Sequence, residues 1–199
     1  MHTNAQRIGY NTYGMQRKRS KWSMINLASV IFFLIAAVFY LVHERNPFLR
    51  VQEGEFARVT IVHDGDTVSI VRDRKEEKVR LIGIDAPEMD QQPWGDLAKR
   101  HLESLLRKSE WRVTIEYDVE KTDQYGRTLA YLRAKDGTLL NLAMVENGFA
   151  VLYTIPPNVR YVEDLRAAQA KAREKRLGIW GEGGLREMPR EYREKRPRL

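Results

Sequence analysis

The sequence predicts an α+β fold: a small, closed β-barrel of five strands with three helices, preceded by a single transmembrane helix. Three observations predict it. Five short runs rich in Val, Ile, Leu, Tyr and Thr lie near residues 56–63, 67–72, 78–84, 111–118 and 128–134. Helix-like stretches interrupt or follow them near residues 95–109, 138–147 and 158–177. No charged residue stands at any of the 21 positions from Trp22 to Val42.

Residues 1–21 hold five Lys or Arg and no acid, and read as a basic cytoplasmic arm. As a helix, residues 22–42 span roughly 32 Å, enough for the hydrocarbon core of a bilayer. Trp22 and Tyr40 sit near its ends, where amphipathic rings favour the interface. A buried soluble helix would need a core that surrounds it on every face. A cleavable signal peptide has a shorter apolar run ending at small residues, whereas this one leaves through Phe39-Tyr40-Leu41-Val42-His43. The reading is an uncleaved signal anchor. The five preceding basic residues, against Arg45 and Arg50 after it, keep the N-terminus cytoplasmic. The rest of the chain is then periplasmic or extracellular, across a bacterial inner membrane or, as runner-up, an organellar one.

Residues 43–55 lack periodicity and read as a linker, and the domain proper is expected over residues 56–180. The charged stretch Arg72 to Lys78 reads as an exposed hairpin turn. The first helix turns Leu97, Leu102, Leu105 and Leu106 to one face, and the second stops at Asn147-Gly148. The third starts from Asn158 as N-cap and faces Leu165, Ala168 and Ala172 inward. Five strands with helices inserted and appended suggest a closed antiparallel barrel of the OB-fold type. The tail, residues 181–199, is charged, holds two prolines and is expected to be disordered.

The formal charge of +7 on 199 residues comes from the ends. Of 34 basic and 27 acidic residues, residues 181–199 hold six and four, leaving 23 of each sign in residues 22–180. The high charge therefore says little about what the domain binds. Cysteine is absent, which excludes disulfides and thiol chemistry.

Three clusters carry the chemistry: Asp64-Gly65-Asp66-Thr67, Arg80 followed by Asp85-Ala86-Pro87-Glu88, and Asp123-Gln124-Tyr125-Gly126-Arg127. They supply hard oxygen ligands, a candidate general base and two guanidinium groups. Such a set can hold a divalent cation against a phosphodiester and stabilise charge that builds during hydrolysis. Each part has a plainer reading. Asp-Gly-Asp is first a turn signal. Asp85 could simply end a strand, and Arg127 could decorate a hairpin. Arg80 is the anomaly, because a guanidinium within Val-Arg-Leu-Ile-Gly-Ile needs a partner: an ion pair with Asp85, Glu88 or Asp118, or a phosphate. In a regular strand Arg80 and Asp85 face opposite sides, so a shared site requires a bulge near Gly83 or a strand that ends before Asp85.

Taken together these stretches resemble the staphylococcal nuclease-like (thermonuclease) family. The resemblance runs through Val62 to Val68, Val79 to Glu88, Thr122 to Tyr131, Asn141 to Tyr153, and Pro156-Pro157-Asn158 to Trp180. It implies an OB-fold barrel with a calcium-dependent phosphodiesterase site acting on DNA and/or RNA, single strands preferred. Asp66 and Asp85 match the Ca2+-ligand carboxylates, Ala86 a backbone carbonyl ligand, and Asp64 an acid acting through water. Arg80 and Arg127 match phosphate-clamping arginines, and Glu88 matches the carboxylate that orients or deprotonates the attacking water. Tyr125 and Tyr153 match residues of the nucleotide pocket. The departures are Ala86 where Thr is usual, Gln124 where the best-known member has Lys, Ile155 for a second pocket tyrosine, and a shorter segment after Glu88.

Two other classes of protein are compatible with the pattern. One is an OB-fold module that binds single-stranded nucleic acid without cutting it. The other is a tethered structural protein whose charges are ion pairs. The full set of acids and both arginines favour cleavage. The lipid bilayer is a partner through residues 22–42, and no protein partner is inferable.

Overall fold

The computed structural model describes residues 29–38 and 55–196. The chain divides into two units, Met1–Arg50 and Val51–Leu199. In the first, residues 29–38 are helical (α1), with Phe32, Phe33 and Leu34 exposed. Among the described residues no helix is long and apolar enough to cross a membrane. The remainder of the predicted span 22–42, the arm 1–21 and linker residues 43–54 lie outside the described residues.

The second unit is built on a closed barrel in the order β1-β2-β3-β6-β5. Strand β1 (Glu55–Val62) turns Ala57, Val59 and Val62 inward. A register shift between Val59 and Ile61 explains the change from odd to even positions, because a bulge adds one residue to one strand. Strands β2 (Thr67–Arg72) and β3 (Lys75–Leu81) form a hairpin whose turn is only Asp73-Arg74, both at positive φ (48° and 65°). The charged stretch read as a turn is therefore mostly strand. Residues 73–76 and Lys78 keep their side chains in water, Arg72 and Glu77 pair with each other at 2.8 Å, and the backbone pairs through Ile70↔Glu77 and Arg72↔Lys75.

Strands β5 (Arg112–Glu116) and β6 (Thr128–Ala134) complete the barrel. The expectation of a wholly antiparallel barrel is corrected: β3 and β6 run parallel, Val79↔Thr128 through Leu81↔Ala130. The reason is topological. Five strands alternating in direction around a ring cannot close without one like-directed pair.

Helix α2 (Trp94–Lys108) plugs the barrel with Ala98, Leu102 and Leu106. That spacing of four rotates Leu97 outward to 37% exposure, against the predicted face. Helix α3 (Leu140–Glu146) adds Leu140 and Met144, and ends at Asn147 with Gly148 at φ 72°. Helix α4 (Val162–Glu174) buries Leu165, Ala168 and Ala172 as their spacing requires. It starts later than predicted. Asn158 does not cap it, since its side chain instead accepts from Glu120 N–H (2.8 Å) and donates to Glu120 C=O (3.0 Å).

After α4, a 3₁₀ turn Gly178–Trp180 buries Ile179, whose N–H donates to the Gly148 carbonyl at 2.9 Å. The tail expected to be disordered carries a further helix, α5 (Pro189–Lys195), beginning with Pro at its first turn. The physical reason lies in the site that it covers.

Candidate active site

The Asp64-Gly65-Asp66 turn is seated against the barrel end. Asp66 N–H donates to Asp64 Oδ1 at 3.0 Å, a side-chain-closed turn. Gly65 is required there, because a Cβ would stand 2.6 Å from Ala86 Cβ and 2.8 Å from Ala98 Cβ. That close approach lets buried Asp66 accept from Ala86 N–H at 2.7 Å and from Thr67 Oγ1 at 3.1 Å. The first and second clusters are thus joined by a direct bond.

The required break between Arg80 and Asp85 is present. Strand β3 ends at Leu81, and Gly83 takes φ 80°, with the place of a Cβ only 2.7 Å from Leu165 Cδ1. A new strand, β4 (Gly83–Asp85), then pairs with β7 (Val151–Tyr153), neither of them expected as a separate element. Asn141 of α3 holds the break in place: its amide donates to Ile82 C=O at 2.8 Å and accepts from Leu132 N–H at 3.0 Å. As a result Arg80 Nη2 lies 3.1 Å from Asp66 Oδ2, 3.3 Å from Asp85 Oδ1 and 3.0 Å from Ile84 C=O.

The third cluster is organised by Asp123. Its Oδ1 accepts from the N–H groups of Tyr125 and Arg127, both at 2.9 Å, and its Oδ2 accepts from Arg127 Nε at 2.7 Å. Arg127 lies 5.6 Å from the exposed Tyr125 ring.

One cleft of about 1170 Å³ collects these parts. Asp64, Asp66, Arg80 and Ala86 line it, and so do Glu88, Tyr125, Arg127 and Tyr153. Asp85 does not line it. That carboxylate is fully buried, bonded to Arg80 and to a residue that sequence reasoning missed. Arg193 of α5 grips both Asp85 oxygens at 2.9 Å and reaches Glu88 Oε1 at 2.8 Å. Its signal was faint: Met188-Pro189 followed by Arg190 and Glu194 at helical spacing, inside a composition that favours disorder.

Burial raises the Asp66 carboxyl from 3.8 to about 6, Arg80 opposing and Asp64 adding to the rise. Burial also raises Asp85, against the pull of Arg193 and Arg80. Asp123 is instead held low: burial pushes it up, but its bonds from Arg127 and Tyr125 outweigh that. Asp66 binds its proton more tightly folded than unfolded between its ordinary 3.8 and about 6. Its contribution to stability therefore falls as pH rises through that window. Asp66→Asn is expected to flatten the fall in urea midpoint over this range; a pH profile parallel to that of the unmutated chain would contradict the assignment.

The donor set suits a hard divalent cation: carboxylate oxygens of Asp66 and Asp85 beside the Ala86 peptide, with Glu88 near. Cationic groups already sit on these oxygens, Arg80 on Asp66 and Asp85, Arg193 on Asp85 and Glu88. Among the described residues no three acidic or histidine side chains come together closely enough to hold a metal ion. The guanidinium groups stand between them.

Comparison with known proteins agrees with this geometry. Residues 78–182 match the family model described as staphylococcal nuclease homologue. The chain is 36% identical over 155 residues to the thermonuclease of Staphylococcus intermedius, covering 74% of this chain and 90% of that protein. It is 35% identical over 133 residues to the thermonuclease of Staphylococcus hyicus, covering 62% and 74%. To endonuclease YncB of Bacillus subtilis (strain 168) it is 30% identical over 128 residues, covering 61% and 59%. A closed five-stranded barrel with Asp66, Arg80, Glu88 and Arg127 at one cleft, together with these matches, shows that the chain belongs to the staphylococcal nuclease homologue family.

Proposed function

We propose that this chain is a calcium-dependent nuclease that hydrolyses phosphodiester bonds of DNA and/or RNA and is held at a membrane by residues 22–42. One observation carries the catalytic reading. Asp66, Arg80, Ala86, Glu88 and Arg127, drawn from three separate segments, line a single cleft, and buried Asp85 is bonded to Arg80 of that lining.

Asp66 and Asp85, with the Ala86 carbonyl, would hold the cation, and Asp64 supports them through water. When bound, the cation supplies Lewis-acid polarisation of a phosphate oxygen. The remaining work falls to the chain. Glu88 orients a water for in-line attack on phosphorus and accepts its proton. Arg80 and Arg127 neutralise the charge that accumulates on the phosphoryl oxygens as the P–O bond to the leaving group breaks. Tyr125, 75% exposed, and Tyr153 offer ring faces on which bases stack.

The uncharged run 22–42 and the basic residues before it support an anchor with its N-terminus cytoplasmic and the nuclease domain on the far side. Calcium is typically plentiful there, so a weak site would still be filled.

The test is acid-soluble product from denatured DNA or RNA, with calcium or with chelator. Release that chelator abolishes is the expected result. Retention of the strand without release would instead identify a binding module, and neither outcome would leave a structural protein. For the anchor, the chain is expected to stay with membranes through alkaline carbonate washing; recovery in the wash would refute it.

A further inference from the structure

We propose that helix α5 is an autoinhibitory strap: Arg193 occupies the Asp85 and Glu88 carboxylates, and a divalent cation must displace it before the cleft can work. The inference rests on the metal-dependent reading above and adds a control to it.

The contact is specific. Both terminal nitrogens of Arg193 engage both oxygens of Asp85, a fork-to-fork pairing, and Nη1 also reaches Glu88. These are the carboxylates assigned to cation binding and to water activation. A divalent cation on Asp85 would lie beside the guanidinium in a partly dry site, where like charges repel strongly. The two occupants therefore exclude one another, and each weakens the other by the same factor.

The rest of α5 obstructs substrate. Arg190 lies 6.0 Å from the Tyr153 ring, and Tyr192 and Arg196 line the cleft. In place, α5 covers surface that a nucleotide needs. Once released, Arg193 is freed from Asp85 and Glu88, whereas Arg190 and Arg196 keep their partners Glu194 and Glu187 within the same segment.

The strap is also built to let go. Seven residues make two turns, too few to stay helical without tertiary contacts. Those contacts are modest: Gln91 Nε2 donates to Glu187 C=O at 3.0 Å, Trp94 Nε1 to Gly183 C=O at 3.3 Å, and Pro189 is buried. Charge supplies the remainder, through Arg193. The run Gly181-Glu182-Gly183-Gly184 precedes it, with Gly183 at φ 70°. The helix begins beyond residue 182, where the family-model match ends.

The experiment uses the full chain in detergent. Calcium binding is measured by calorimetry for the unmutated protein and for Arg193→Ala, and amide hydrogen exchange over residues 187–196 is followed with and without calcium. A strap closed about nine-tenths of the time weakens apparent affinity about tenfold, so Arg193→Ala should bind calcium about tenfold more tightly. In the unmutated chain, calcium should speed exchange across α5. Equal, measurable affinities with α5 equally protected in calcium would overturn the strap while leaving the metal site standing. No binding by either protein would overturn the metal reading and the strap with it. If Arg193→Ala fails to fold, exchange in the unmutated chain decides the matter: protection unchanged at saturating calcium rejects the strap.

Discussion

Arg80→Ala is expected to lower the rate of phosphodiester hydrolysis by about 10³-fold or more, the scale set by arginines that stabilise phosphoryl transfer. It is also expected to destabilise the fold. Arg80 is the cation nearest buried Asp66 and one of two on Asp85. Removing one partner from a buried pair costs about 3–5 kcal/mol, because the other charge is left without compensation. Asp66 carries most of that loss, since Asp85 keeps Arg193. The destabilisation should shrink in acid, where Asp66 takes up a proton and no longer needs a cation. Arg80→Lys separates the two roles, keeping a charge but losing the planar fork. Single-turnover rates and urea melts in acid and at neutrality measure both effects. A variant with full activity would remove Arg80 from the phosphate site. A variant with normal stability at neutral pH would show that the Asp66 pair contributes nothing to folding.

Glu88→Gln is the second large effect. The substitution keeps the side chain's shape and an oxygen that can accept from Arg193, whose bond to Glu88 is 2.8 Å. Folding should be unaffected. Turnover should fall by about 10²–10⁴-fold, the span over which a positioned general base acts. Losing the Glu88 charge loosens Arg193 and also removes an anion beside the cation site, so rates are compared at saturating calcium. Thermal melts, calcium titration and kcat on a single-stranded substrate together make the case. Unchanged turnover would assign water activation elsewhere.

Much of the barrel and most of the cleft were legible because their signals are local. Runs rich in Val, Ile, Leu, Tyr and Thr placed β1, β2, β5 and β6, and the opposite facing of Arg80 and Asp85 in a regular strand called for a bulge near Gly83 or a strand that ends before Asp85. The parts that were not legible depend on distant partners. The pairing of β4 with β7 involves three residues on each strand, too few to leave a periodic pattern. The first residues of β3, Lys75 to Glu77, hid in a charged stretch because the turn before them, Asp73-Arg74, lacks the usual glycine. Asn158 has the composition of an N-cap, yet Glu120, 38 residues away, claims its side chain. Helix α5 is the extreme case. Its sequence favours disorder, and its order comes from Arg193 meeting a carboxylate 108 positions earlier.

The bond from Ile179 N–H to the Gly148 carbonyl has a consequence for how any displaced tail behaves. It pins the chain to the barrel, and the bond from Leu185 N–H to the Ile179 carbonyl at 3.1 Å carries the hold a few residues on, so residues beyond Leu185 move on a short leash. Arg193 then returns to Asp85 as a tethered ligand, at the millimolar effective concentration that short flexible linkers provide. Inhibition of this kind is independent of dilution, and it resets within each molecule as soon as the ion leaves.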